Sequence, residues 1–286
     1  MSIILALLAA LFASFTAILA KVGIENVNSN LATAVRSIVV LIMAFIMVMI
    51  TGKLETISQI STTALWFILL SGFATGFSWL FFFKALAIGD VSKVVPIDKS
   101  SVVLTIIISI LFLKEPAEPL VMAGGAIIAI GTFILIGKNE EKKRFFGSQQ
   151  YIAYAILAAV FAAFTSILAK VGMEDVDSNV ATFLRTIVIL LFSWAIVFFQ
   201  GTHMKLREIS RKGYLFLVLS GVATGLSWLC YFAALAMGKV SVVAPIDKFS
   251  VVLTMVLSFT ILKEKAAKHT IIGGIVITAG TILLII

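Results

Sequence analysis

Apolar residues run almost unbroken along this chain, and polar residues fall in short clusters between the runs. Residues 5–20, 31–50 and 187–199 each hold at most one charged side chain. About 20 apolar residues cross a bilayer core as a helix. The runs lack the two-residue alternation of a barrel strand. The pattern predicts an all-α integral membrane protein with ten transmembrane helices, at residues 2–24, 31–52, 63–88, 91–113, 120–137, 151–173, 180–200, 214–237, 240–262 and 270–286. "ENVNSN", "GKLETISQIST" and "KEPAEP" are the first polar breaks. No basic leader or small-residue cleavage site stands before the first run, which is expected to stay in place.

The pattern also repeats. "FASFTAILAKVGIENVNSNLATAVRSIVVL" begins at Phe12 and "FAAFTSILAKVGMEDVDSNVATFLRTIVIL" at Phe161. Lys21 matches Lys170, Arg36 matches Arg185, Gly72 matches Gly221, Asp98 matches Asp247 and Glu115 matches Glu264, all at an offset of 149 (170 − 21). Residues 1–137 form a first five-helix repeat, 138–150 a charged linker and 151–286 a second five-helix repeat. Five is odd, so the second copy enters the bilayer from the opposite face. The expected fold is two inverted five-helix repeats, with a substrate site between them near the midplane.

Charge adds an orientation. Charged residues are 13% of the chain against a hydrophobic fraction of 61%, too few to cover a soluble domain. The linker face carries Lys138, Lys142, Lys143, Arg144, Lys205, Arg207, Arg211, Lys212, Lys263, Lys265 and Lys268, while the other has little beyond Lys53, Lys114 and Lys239. Basic loops stay cytoplasmic, so the linker is expected inside and both termini outside, in the plasma membrane. The net charge of +8 is spread over loops rather than gathered in one domain, which argues against nucleic acid and for the lipid bilayer as partner. The lone Cys230 excludes an internal disulfide, and His203 and His269 fall in loops, so no metal or cofactor is expected.

Within the apolar runs a few polar residues stand out. "VVPIDKSSVVLT" from Val94 recurs as "VVAPIDKFSVVLT" from Val242. Asp98 lies about eight residues into its span, roughly 12 Å deep, near the centre of a core about 30 Å thick. Asp98, Lys99, Asp247 and Lys248 facing lipid would cost on the order of 10 kcal/mol, so they are expected to face one another or water. Ser101, Thr105 and Ser109 follow Asp98 on one helix face, and Ser250, Thr254 and Ser258 follow Asp247, which predicts a polar stripe along a cavity. Pro96 and Pro245, two residues ahead of each Asp, can free a backbone carbonyl toward that cavity. Arg36 and Arg185 lie deeper than interface snorkelling explains; Asp partnership and substrate contact both remain open for them. Lys21, Lys170 and Lys84 read as snorkelling lysines. Thr75, Ser78, Trp79 and Phe82 share a face, as do Thr224, Ser227, Trp228 and Tyr231; an aromatic cavity wall and plain packing both fit.

The block "SWLFFFKALAIGDVSKVVPIDKSSVVLTIIISILFLKE" (78–115) and its copy "SWLCYFAALAMGKVSVVAPIDKFSVVLTMVLSFTILKE" (227–264) resemble EamA-like transporters of the drug/metabolite transporter superfamily, over nearly the whole chain. Each half is similar to a five-span member, as though two were fused. The resemblance implies an inverted-repeat carrier that exports amino acids or other small metabolites. It also implies cytoplasmic termini, the reverse of the charge count.

The expected function is therefore a secondary active transporter, an exporter of small polar metabolites such as amino acids or related zwitterionic and anionic compounds. It would work by alternating access around a cavity lined by the third, fourth, eighth and ninth spans. Candidate binding residues are Arg36, Ser78, Trp79, Asp98, Lys99, Arg185, Ser227, Trp228, Tyr231, Asp247 and Lys248. The six deepest charges sum to +2, which leans toward anions and zwitterions. A proton or counter-substrate is the candidate coupling species, and monomer and homodimer are both open. A channel or lipid-translocating protein is the alternative. No HExxH or G-x-S-x-G motif favours an enzyme.

Overall fold

The computed structural model describes residues 1–25, 27–114, 118–136, 150–238, 243, 246, 247, 249–264 and 268–283. Lys248, Pro245, Glu115 and the linker up to residue 149 lie outside these. Gln150, read as the last linker residue, opens a helix.

Among the described residues every regular element is helical. The α-helices are α1 (Ser2–Ile24), α2 (Ser29–Thr51), α3 (Thr62–Ile88), α4 (Val91–Lys99), α5 (Ser101–Phe112), α6 (Pro119–Ile136), α7 (Gln150–Gly172), α8 (Ser178–Phe199), α9 (Arg211–Met237), α10 (Ser250–Thr260) and α11 (Lys268–Leu283). Short 3₁₀ helices, Leu54–Gln59 and Thr202–Glu208, precede α3 and α9.

The boundaries have local causes. Asn28 accepts hydrogen bonds from the free amides of Asn30 and Leu31 at the start of α2, and Asp177 does the same for Asn179 and Val180 at α8. Ser61 and Ser210 cap α3 and α9. After α2 and α8 the chain turns at Gly52 and Gly201, with φ of 65° and 66°, a conformation that costs glycine little.

Among the described residues, seven helices are long and apolar enough to cross a membrane, with α4 and α5 counted as one stretch, Val91–Phe112. α6, α10 and α11 are shorter apolar helices. The stretch predicted as one helix over 91–113 breaks at Ser100. Pro96 supplies no N–H, and the Ser100 amide donates to both Pro96 O (3.0 Å) and Ile97 O (3.2 Å), a tightened turn. Asp98 and Lys99 sit in the last turn before the break.

Helices pack mostly across the two halves rather than within them. α1 lies against α9, and α7 against α3; α2 meets α8 and α9, while α8 meets α3; α6 pairs with α11. Every such contact recurs with the halves exchanged. Gly72 and Gly221 permit close approach at two of them. A Cβ on Gly72 would stand 2.8 Å from the Val188 side chain and 3.0 Å from Arg185 O; one on Gly221 would stand 2.8 Å from Val39 and 3.2 Å from Arg36 O. Large apolar side chains such as Ile42, Phe45, Phe133, Leu191 and Phe199 point outward, the distribution a lipid surroundings demands.

Candidate functional site

A cavity of about 170 Å³ lies where the halves meet, many times the ~10–15 Å³ that admits one water. Of the residues singled out from sequence, Arg36, Ser78, Trp79, Asp98, Lys99, Arg185, Ser227, Trp228, Tyr231 and Asp247 all line it. Lys248 lies outside the described residues. The wall is broader than the four expected spans: Ala13, Thr16 and Ala17 of α1 and Ala162, Thr165 and Ser166 of α7 contribute, as do α2 and α8 through their arginines.

An ion pair joins the halves. Lys99 Nζ lies 3.2 Å from Asp247 Oδ2, and Asp247 is buried. Lys99 comes from the last turn of α4, just before the break at Ser100.

The two arginines sit in matching shells. Arg36 and Arg185 are both 0% exposed. Arg36 Nη2 donates to Thr224 Oγ1 of α9 at 2.7 Å, and Arg185 Nη2 donates to Thr75 Oγ1 of α3 at 2.9 Å. The Arg36 guanidinium carbon lies 4.0 Å from the Phe83 ring centroid and 5.4 Å from that of Trp79. For Arg185 the same distances are 4.3 Å to Phe232 and 5.6 Å to Trp228. Rings stacked on a cation in this way offset part of its desolvation. Trp79 and Trp228 meet each other at 4.8 Å. The partners left open from sequence are therefore threonines of the opposite half and aromatic rings of the same half. Nε and Nη1 of both arginines have no hydrogen-bond partner among the described residues.

Ser78 and Ser227 line the cavity but are already engaged, donating to Ala158 O of α7 at 3.0 Å and Ala9 O of α1 at 2.9 Å. They hold the wall together. The stripe expected along the cavity is mostly packed instead. Only Ser101 reaches the cavity, whereas Thr105 and Ser109 on α5 and Ser258 on α10 are buried and donate to carbonyls of their own helices. α5 packs against α7 and α10 against α1, so small polar residues there fill a close helix seam. Lys21 and Lys170 do not snorkel. Lys21 Nζ donates to Leu86 O at 2.7 Å and Gly89 O at 2.8 Å, and Lys170 donates to Leu235 O at 3.5 Å, closing the carbonyl ends of α3 and α9. Lys84 is exposed and lies over the Tyr154 ring at 4.6 Å.

Sequence reading missed Thr16 and Thr165, which face Thr224 at 3.3 Å and Thr75 at 3.2 Å. The signal was present: each is the one uncharged polar residue kept at the same place in both copies of "FxxFTxILAK".

At one end of the molecule a further contact bridges the halves. The Glu264 carboxylate accepts from Val91 N at 2.9 Å and Ser92 N at 3.0 Å, capping the start of α4. A wider cavity of about 470 Å³ opens beside it, lined by Lys21, Glu25, Asp90 and Glu264.

Comparison with known proteins gives the following. The model of the EamA-like transporter family matches this chain twice, over residues 1–137 and 149–286. "Uncharacterized transporter in cobO 3'region" of Sinorhizobium sp is 44% identical over 137 residues, which are 48% of this chain and 97% of that protein. "Uncharacterized transporter YxxF" of Bacillus subtilis (strain 168) is 24% identical over 221 residues, covering 76% of this chain and 69% of its own. A solved structure superposes over 99% of this chain and 96% of its own, with a TM-score of 0.71 at 16% identity, a likeness of fold.

Proposed function

This chain belongs to the EamA-like transporter family and is a multi-pass membrane transporter rather than an enzyme, and on that premise we propose that it is a secondary carrier whose transport site is the cavity between its halves. It crosses the plasma membrane ten times as two inverted five-helix repeats, 1–137 and 151–286. The linker 138–150 is cytoplasmic. It exports small polar anionic or zwitterionic metabolites, coupled to a proton or a counter-substrate.

The observation that carries this reading is the grouping of Arg36, Arg185, Lys99, Asp98 and Asp247 around one cavity. Charges at this depth in an apolar bundle are costly and contribute little to stability that apolar packing could not supply. A carrier needs them to replace water around a polar solute. The cross-half packing supports alternating access: when the two sets of helices rock, the Lys99–Asp247 pair and the Glu264 cap lie on the moving seam.

The test uses proteoliposomes at matched protein levels, with a solute first identified by thermal-shift screening of metabolite pools. Asp98→Asn and Asp247→Asn are each expected to cut uptake by about tenfold or more in protein that remains folded. Wild-type uptake by both variants would make the PIDK segments structural and remove the assignment.

A further inference from the structure

Resting on that reading of the cavity, we infer that the solute carries two separated anionic groups, one for Arg36 and one for Arg185, as a short dicarboxylate does.

The charges lining the cavity are compensated unequally. Lys99 has Asp247 at 3.2 Å. Neither arginine forms an ion pair among the described residues, although both are 0% exposed. A buried charge is normally paired. The threonine hydroxyls and aromatic rings compensate these cations only in part, since a neutral acceptor and a ring face are weaker partners than a carboxylate.

Both arginines line the cavity, and the donors still unmatched on them can be named. The Phe83 and Phe232 ring centroids lie 4.0 and 4.3 Å from the guanidinium carbons of Arg36 and Arg185. Hydrogen bonds form in the guanidinium plane, at the edge. Thr224 and Thr75 each take one edge nitrogen, Nη2. Nε and Nη1 are left as donors on both arginines. Unmatched buried donors are costly, so an anionic oxygen that reaches either guanidinium gains both charge and hydrogen bonds. The surrounding rings exclude water, which strengthens that interaction.

The sites are two rather than one. Arg36 lies against Trp79 and Arg185 against Trp228, and the indoles meet at 4.8 Å between them. A solute with a single carboxylate serves one arginine and leaves the other uncompensated. A zwitterion adds an ammonium group that must compete with Lys99 for Asp247. A molecule with a carboxylate at each end of a short apolar stem serves both arginines and lays its stem along the tryptophans.

The experiment measures thermal shifts of the purified full chain with four probes of similar size: succinate, glutarate, succinamate (one carboxylate made a neutral amide) and γ-aminobutyrate (a zwitterion). Succinate or glutarate is expected to bind about tenfold or more tightly than either of the other two. Arg36→Lys and Arg185→Lys keep the charge but lose the planar fork, and each is expected to weaken dicarboxylate binding by about tenfold. The wild-type ranking alone decides if either variant misfolds. Equal or tighter binding of succinamate or γ-aminobutyrate overturns the inference, as does the absence of a shift with all four. A zwitterion that binds best while Asp247→Asn abolishes its uptake leaves the carrier reading standing; wild-type uptake by the Asp variants removes both.

Discussion

The shell around Arg36 and the shell around Arg185 use the same residue types in the same geometry, but one turn along α3 and α9 the two sides of the cavity part company. Tyr231 of α9 reaches Ser166 of α7 with its hydroxyl and lies near Asp247. The equivalent residues on the other side are Phe82 and Ala17. All four line the cavity. One side therefore presents a hydroxyl pair where the other presents only carbon, and both members of the pair changed together. The difference follows from how contacts are shared. Thr75 answers to Arg185 and Thr224 to Arg36, so changing either threonine takes a hydrogen bond from a buried charge. Neither arginine takes a hydrogen bond from Tyr231 or Ser166, and Ser166 donates to Ala162 O of its own helix at 3.3 Å, so replacing both by apolar residues takes no hydrogen bond from either buried cation. Residues serving the buried cations are held alike in both halves, and the neighbouring wall is free to make the cavity one-sided.

The comparison is most severely tested at the arginines. Arg36→Met and Arg185→Met are each expected to lower transport roughly a hundredfold, from the loss of charge-assisted hydrogen bonds. Thermal stability should stay level or rise, because an unpaired buried charge is replaced by apolar packing. Proteoliposome uptake and melting temperature together check this. Losses that differ widely between the two variants would break the equivalence of the shells, and a fall in melting temperature would make the arginines structural posts.

A smaller effect is expected at the glycines that bring α3 and α9 against those arginine helices. Gly72→Ala sets a methyl 2.8 Å from Val188, and Gly221→Ala sets one 2.8 Å from Val39. Each must separate its helices slightly and is expected to cost about 1–3 kcal/mol, by a similar amount in the two halves. Chemical denaturation in detergent measures it.

The smallest effect belongs to the divergent wall. Tyr231→Phe removes one neutral hydroxyl from the cavity wall and should shift substrate affinity only a few-fold. The reciprocal Ala17→Ser/Phe82→Tyr variant installs the hydroxyl pair on the other side. If affinity changes in opposite directions for Tyr231→Phe and for this double variant, the hydroxyl pair sets the polarity of the site. No change in either makes the asymmetry neutral drift.

Much of the fold was legible because the bilayer leaves few choices: apolar runs of the right length, broken by Asn28, Gly52, Ser61 and their mates, become helices with those ends. The candidate site was legible because charge inside such runs is expensive, so Arg36, Asp98, Lys99, Arg185 and Asp247 stood out without any structure. The break at Ser100 was not, since Pro96 shows that a carbonyl is freed but not where the helix gives way.

The sequence by itself determined that the molecule is helical, that it was written twice at an offset of 149, and which polar residues had to be kept from lipid. Only the tertiary structure decided what those residues touch. Arg36 and Thr224 are 188 residues apart, and no spacing along a helix foretells that pairing. Two halves with nearly the same sequence could equally have packed side by side, each helix against its own repeat. They pack across each other instead, and Gly72 and Gly221 are among the positions where the lack of a side chain lets α3 and α9 lie close to the arginine-bearing helices of the opposite half.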